Sequence, residues 1–169
     1  MPGSLSHLTG RFFEVLLAQP LLAEEVAWVD SRLDEAMSEV FFQQQPADQR
    51  HAYQAARVVV AMGHDDPATV IAALMHDVGK RHAGLGVWSR SLASLLVKLG
   101  VPMGRRMSLY CDHGRSGSAE LAALGAPALA VDYARAHHGP RPGTIEPDTW
   151  HALVLADEPQ RPGRKRLAR

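Results

Sequence analysis

Apolar residues recur along this chain at spacings of three and four, while the strict alternation that marks half-buried strands is hard to find. The pattern predicts helices over 8–18, 21–42, 47–62, 67–78, 89–99, 105–111, 116–124, 127–138 and 147–158. Punctuation supports the breaks: Pro46, Gly63 with Pro67, Gly100 with Pro102, Gly125 with Pro127, and Gly139-Pro140 fall between periodic stretches. Ser89 reads as an N-cap, and Pro147 stands near a helix start. The fold class expected is all-α, a single multi-helix bundle, because 169 residues with 46% hydrophobic content suffice for one core and are short for two.

Two segments depart from helical periodicity. Residues 138–147 carry three prolines and two glycines and read as an irregular loop, of the kind that shapes access to sites. From Pro159 onward the chain is basic and poor in apolar residues, so a disordered, solvated tail is expected over 159–169. Lys plus Arg (18) balance Asp plus Glu (18), which removes any overall field for an extended nucleic-acid surface or an anionic membrane. The apolar run Phe12-Phe13-Glu14-Val15-Leu16-Leu17-Ala18 is interrupted by Glu14 and followed by Pro20 and Glu24-Glu25, so it is read as neither signal peptide nor membrane span. Cys111 is the one cysteine, which rules out an internal disulfide and fits a reducing, cytoplasmic setting.

The candidate chemistry gathers on His76-Asp77, within Ala72-Ala-Leu-Met-His-Asp-Val-Gly-Lys80. In the predicted helix 67–78 the core stripe is Ile71, Leu74, Met75 and Val78, and His76 and Asp77 project beside it above small Ala72 and Ala73. The pair lies in the last turn, where unsatisfied carbonyls favour cations. His51 aligns with Ala55, Val58 and Met62 and should point inward. Asp157 shares a face with Trp150, Leu153 and Val154, so that helix would bury a carboxylate, which requires a cation or strong hydrogen bonds. His113 precedes a small-residue helix, and His137-His138 close the helix from Pro127. Any one of these histidines alone reads as an ordinary core or surface residue. Five of them, at predicted helix ends and with two carboxylates, read as metal ligands. His7, His64, His82 and His151 lack that context and receive no metal role.

The ordered set His51, His76-Asp77-Val-Gly-Lys80, His113, His137-His138 and Leu155-Ala-Asp157 resembles the HD-domain metal-dependent phosphohydrolases, in the His-Asp-Ile-Gly form of their core motif, over about residues 45–158. The resemblance implies an HD-domain bundle at 45–158, with N-terminal helices over 1–44 packed on it. It implies that His51, His76, Asp77 and Asp157 hold one metal, and that Asp77 bridges to a second held by His113, His137 and His138. His137-His-Gly-Pro-Arg-Pro-Gly-Thr144 lacks the Gly-Tyr-Pro triplet of the cyclic di-GMP phosphodiesterases of this family, and Ala47 stands where a third-metal Glu would sit. A dinuclear site is therefore expected.

Two divalent ions bring four positive charges and Asp77 with Asp157 return two negative ones, leaving a centre that attracts phosphate. The expected function is hydrolysis of a small phosphorylated substrate, a phosphomonoester or a nucleotide-like phosphodiester, by a metal-bridging hydroxide. Asp77 and Lys80 would be catalytic, and Lys80, Arg81, Arg115 and Arg141 would contact phosphate. Mixed imidazole and carboxylate ligation admits iron, manganese, zinc, nickel or cobalt. The alternatives are a di-iron oxygenase of the same family type and a non-catalytic ligand-binding or adaptor protein. The amphipathic helices at 8–42 would either cover the core or form a homodimer face.

Overall fold

The computed structural model describes residues 19–83 and 113–158, so the helices expected at 8–18, 89–99 and 105–111, Cys111 and the 159–169 tail lie outside the described residues. The fold is all-α: seven α-helices and one 3-10 helix, with no strand among the described residues. In chain order these are α1 (Ala23–Asp30), α2 (Glu35–Phe42), α3 (Pro46–Ala61), α4 (Pro67–Met75), the 3-10 helix Val78–Ala83, α5 (His113–Ala123), α6 (Ala128–Ala136) and α7 (Pro147–Asp157). None of the described helices is long and apolar enough to cross a membrane.

Local chemistry accounts for most boundaries. Pro46, Pro67 and Pro147 each occupy the first turn of a helix, where a missing N–H costs nothing. The Asp66 carboxylate accepts from Thr69 N at 2.9 Å and caps α4. Gly63 takes φ +91° after α3, which lets His64 N–H reach Val59 O at 3.0 Å and Gly63 N–H reach Val60 O at 3.0 Å, the double bond that closes a helix end.

Four expected helices have corrected boundaries. The single helix expected over 21–42 is two helices, because the Ser31 hydroxyl turns back to Trp28 O at 2.7 Å and the Asp34 carboxylate caps Met37 N at 2.8 Å. The helix expected over 67–78 stops at Met75; Lys80 N–H then reaches Asp77 O at 2.9 Å and the chain continues as 3-10 helix. The helix expected to start at residue 116 starts at His113, and the one expected to run to 138 ends at Ala136.

α4 is the central element. Every residue from Thr69 to Met75 is buried, as a helix surrounded by others requires, and it packs against α3, α6 and α7. α5 lies across α6 and the 3-10 helix. Val29 of α1 and Met37, Val40 and Phe41 of α2 join the same core as Val59, Leu74, Leu121, Tyr133 and Leu153. Val78, the first residue after the His76-Asp77 pair, is fully buried, so the chain that leaves α4 is held where Asp77 can face α5 and α6.

Candidate metal centre

Five helices deliver the metal-ligating candidates singled out in the sequence, nearly all from helix ends. α3 presents His51 from its first turns, and α4 presents His76 at its C-cap with Asp77 next. His113 opens α5, His137 caps α6 with His138 following, and Asp157 closes α7. The C-terminal ends of α4, α6 and α7 therefore meet at one place, and their carbonyl partial charges make it favourable to a cation.

Asp77 sits at the middle, its side chain 3% exposed. One oxygen, Oδ1, lies 3.3 Å from His113 Nε2 and 3.5 Å from His137 Nε2. The other, Oδ2, lies 3.5 Å from His76 Nε2 and pairs with Lys80 Nζ. On the far side of His76, Asp157 Oδ1 is 3.1 Å from His76 Nε2 and 2.9 Å from His51 Nε2. His138 Nε2 stands 3.2 Å from His113 Nε2, which is itself 3.4 Å from His137 Nε2. Ligand atoms of Asp77, His113, His137 and His138 all lie within 4.8 Å of one another, and so do those of His51, His76 and Asp77. Asp77 belongs to both groups.

Hydrogen bonding behind the rings fixes which nitrogens face inward. His76 Nδ1 lies 2.9 Å from Ala73 O and His137 Nδ1 lies 2.9 Å from Ala134 O, and a carbonyl can only accept, so each Nδ1 carries the proton. In its neutral form each ring turns an Nε2 lone pair toward the carboxylate oxygens and neighbouring imidazoles. Lone pairs aimed at one another repel, and Asp77 Oδ1 is buried without a conventional hydrogen bond. A cation placed among them removes both penalties, and a backbone carbonyl behind each ring is the usual device that orients a metal-binding histidine. The cluster can hold a metal ion, and its mix of imidazole and carboxylate donors suits a transition metal.

Without a metal, protons and Lys80 balance the charge. Burial opposes a charged His76, but the Asp77 and Asp157 carboxylates outweigh it and lift its pKa to about 9. Burial likewise opposes an ionised Asp77, yet Lys80, His76 and the imidazoles of His113 and His137 hold it well below the usual carboxylate range. Asp157 is lowered against burial by its bonds to His51 and His76. His138 goes the other way: burial and its neighbours His137 and His113 push it down to about 4, leaving a neutral imidazole at physiological pH.

Lys80 is at the cluster, while the three arginines are not. Arg81 is committed to Glu120 and to Val78 O, and it ties the 3-10 helix to α5. Arg141 donates to Ile145 O within the 139–147 loop, and Arg115 lines a cleft shared with Arg135. Arg81 and Arg141, expected to contact phosphate, each hold chain segments together in this structure, Arg81 through Glu120 and Arg141 through Nη1 on Ile145 O. His64 faces Asp148 at 3.7 Å and His82 faces Glu120 at 3.0 Å, both away from the centre.

The structure adds residues that motif reading missed. The Tyr133 ring leans on His76 and His137 with centroids 5.9 Å from each, forming a floor under both groups, and its hydroxyl is buried without a hydrogen-bond partner. Gly79 matters through what it lacks: a Cβ there would fall 2.0 Å from His113 O and 2.8 Å from Gly117 N. That contact sets His113 against Asp77. The one available signal was the presence of Gly79 within the His-Asp-Val-Gly-Lys run. Comparison with protein-family models, with curated proteins and with solved structures finds no match to this chain.

Proposed function

We propose that this chain is a metal-dependent phosphohydrolase of the HD-domain type, acting on a small phosphorylated substrate. The observation that carries the reading is the position of Asp77, a buried carboxylate with one oxygen toward His113 and His137 and the other toward His76 and Lys80. A carboxylate shared between two nitrogen-rich groups is the arrangement that two adjacent divalent ions require.

His51, His76, Asp77 and Asp157 would hold one ion, and Asp77, His113, His137 and His138 the other. Bound there, two divalent ions would supply a Lewis-acid clamp for phosphoryl oxygens and lower the pKa of a coordinated water. The chain's own groups do the rest. Ala73 O and Ala134 O hold His76 and His137 in the tautomer that offers Nε2. Lys80 places its ammonium at Asp77 Oδ2, where it would pair with a phosphate of a substrate held at the metals. Tyr133 and the buried backbone of α4 shut water out from below.

The test is elemental analysis of protein purified without chelators, followed by a panel of phosphomonoesters, nucleotides and cyclic dinucleotides with manganese, iron or nickel added. The expected result is close to two metals per chain and phosphate release that Asp77→Ala abolishes. Metal-loaded protein that releases no phosphate from any member, or that turns over only with dioxygen, overturns the reading.

A further inference from the structure

Away from the ligand cluster, one cleft has charges that nothing in the described residues balances. It encloses about 510 Å³ and is lined by Arg115, Ser118 and Ala119 of α5 and Arg135 of α6. The two helices meet closely there because Gly114 has no side chain: a Cβ would lie 2.7 Å from Ala134 O and 3.3 Å from Arg135 O. Ser118, 2% exposed, donates its hydroxyl proton to Arg115 O at 2.9 Å and accepts from Arg135 Nε at 3.5 Å, so it forms a fixed floor between the two arginines.

The other described arginines are each engaged. Arg50 pairs with Glu25 and Arg81 with Glu120, Arg32 and Arg57 lie over the Trp28 ring, and Arg141 holds Ile145 O. Among the described residues, neither Arg115 nor Arg135 faces a carboxylate. Position along the helices separates this cleft from the metal ligands. Arg115 is two residues after His113 and Arg135 two before His137, and at about 100° per residue each arginine points roughly 200° away from its neighbouring ligand.

We propose that this cleft is a second anion site, taking a phosphate-bearing ligand on the flank of α5 and α6 opposite the metal ligands. Two guanidinium groups present planar donor forks that match phosphate oxygens two at a time, which a lysine pair would not. The volume exceeds a bare phosphate group, so the site has room for the body of a phosphorylated small molecule. The α5–α6 pair that forms its walls also carries His113, His137 and His138, so an anion bound there is mechanically connected to the ligand cluster.

The experiment uses metal-stripped protein and inorganic pyrophosphate as probe, titrated by calorimetry at constant ionic strength. Wild type and Arg57→Gln are expected to bind it with the same affinity, because Arg57 lies over the Trp28 and Tyr53 rings, away from the cleft. Arg115→Gln and Arg135→Gln are each expected to weaken binding about tenfold or more, and the double variant to abolish it. Both arginines are exposed, so the folded state is retained and is verified by circular dichroism. No binding to wild type, equal affinity in the Arg115 and Arg135 variants, or loss of binding in Arg57→Gln overturns the proposal. Because no metal and no turnover are involved, a failed hydrolase assay leaves this result standing, and the reverse also holds.

Discussion

His76 Nε2 and Asp157 Oδ1 stand 3.1 Å apart although 81 positions separate them in the chain, and the same oxygen reaches His51 at 2.9 Å. This bond closes α7 onto α4 and α3, and it gives one side of the candidate metal centre its carboxylate. Asp157→Asn keeps the shape and removes the charge. Elemental analysis should show metal content falling by about one ion per chain, as expected when one charged ligand of a subsite is lost. In the metal-free variant, NMR titration should show the His76 pKa falling from about 9, since one of the carboxylates that raises it has gone. Unchanged metal content would exclude Asp157 as a ligand.

Metal loading should release protons. His76 is protonated in the metal-free protein at pH 7.5 because its pKa is about 9, and only its neutral form can ligate. His138, at about 4, has no proton to lose at that pH. Calorimetric titration of a divalent metal in buffers of different ionisation enthalpy should show about one proton released per chain from His76, and fewer at pH 9.5 than at pH 7.5.

The metal-free protein should also have a skewed stability profile. His76 has a folded pKa raised from 6.5 to about 9, so its contribution is complete below pH 6.5 and is lost as pH rises through 9. Asp77 and Asp157 have folded values below 3.8, so their contribution is present above that pH and is lost as pH falls further. His138 has a folded pKa lowered from 6.5 to about 4, so its neutral form costs stability as pH falls from 6.5 toward 4. Urea midpoints should therefore peak near pH 6.5 and decline both toward pH 9 and toward pH 4. Saturating metal should move the maximum to higher pH, because deprotonated ligands then gain a partner.

Gly79→Ala should be severe for a change of one methyl group. The added carbon meets the His113 carbonyl oxygen, a backbone atom that moves only if α5 moves. The expected cost is about 3 kcal/mol or more in urea unfolding, with loss of metal where His113 has shifted from Asp77. A variant of normal stability and metal content would show that α5 can slide on the 3-10 helix.

Tyr133→Phe should do the opposite of most core changes in the metal-free protein. The buried hydroxyl has no hydrogen-bond partner, so deleting it removes a desolvated polar atom and retains the ring that supports His76 and His137. Unfolding free energy should stay level or rise by about 1 kcal/mol. A loss larger than that would reveal a hydrogen bond to solvent beneath the centre.

Linear order alone carried the helical class, through three-and-four spacing and through Pro46, Pro67 and Pro147 at helix starts. It also carried a set of side chains able to bind metal, of which His51, His76, Asp77, His113, His137 and His138 come together in two groups. These features are local: a cap or a first-turn proline acts within four residues of itself. Packing settled the rest. The break between α1 and α2 turns on Ser31 and Asp34 finding backbone groups that a continuous helix would have consumed. Arg81 faces Glu120 across 39 positions instead of phosphate, and no spacing rule announces a partner that distant. The importance of Gly79 likewise came from α5 lying against it, since the space a glycine leaves empty acquires meaning only when another backbone occupies it.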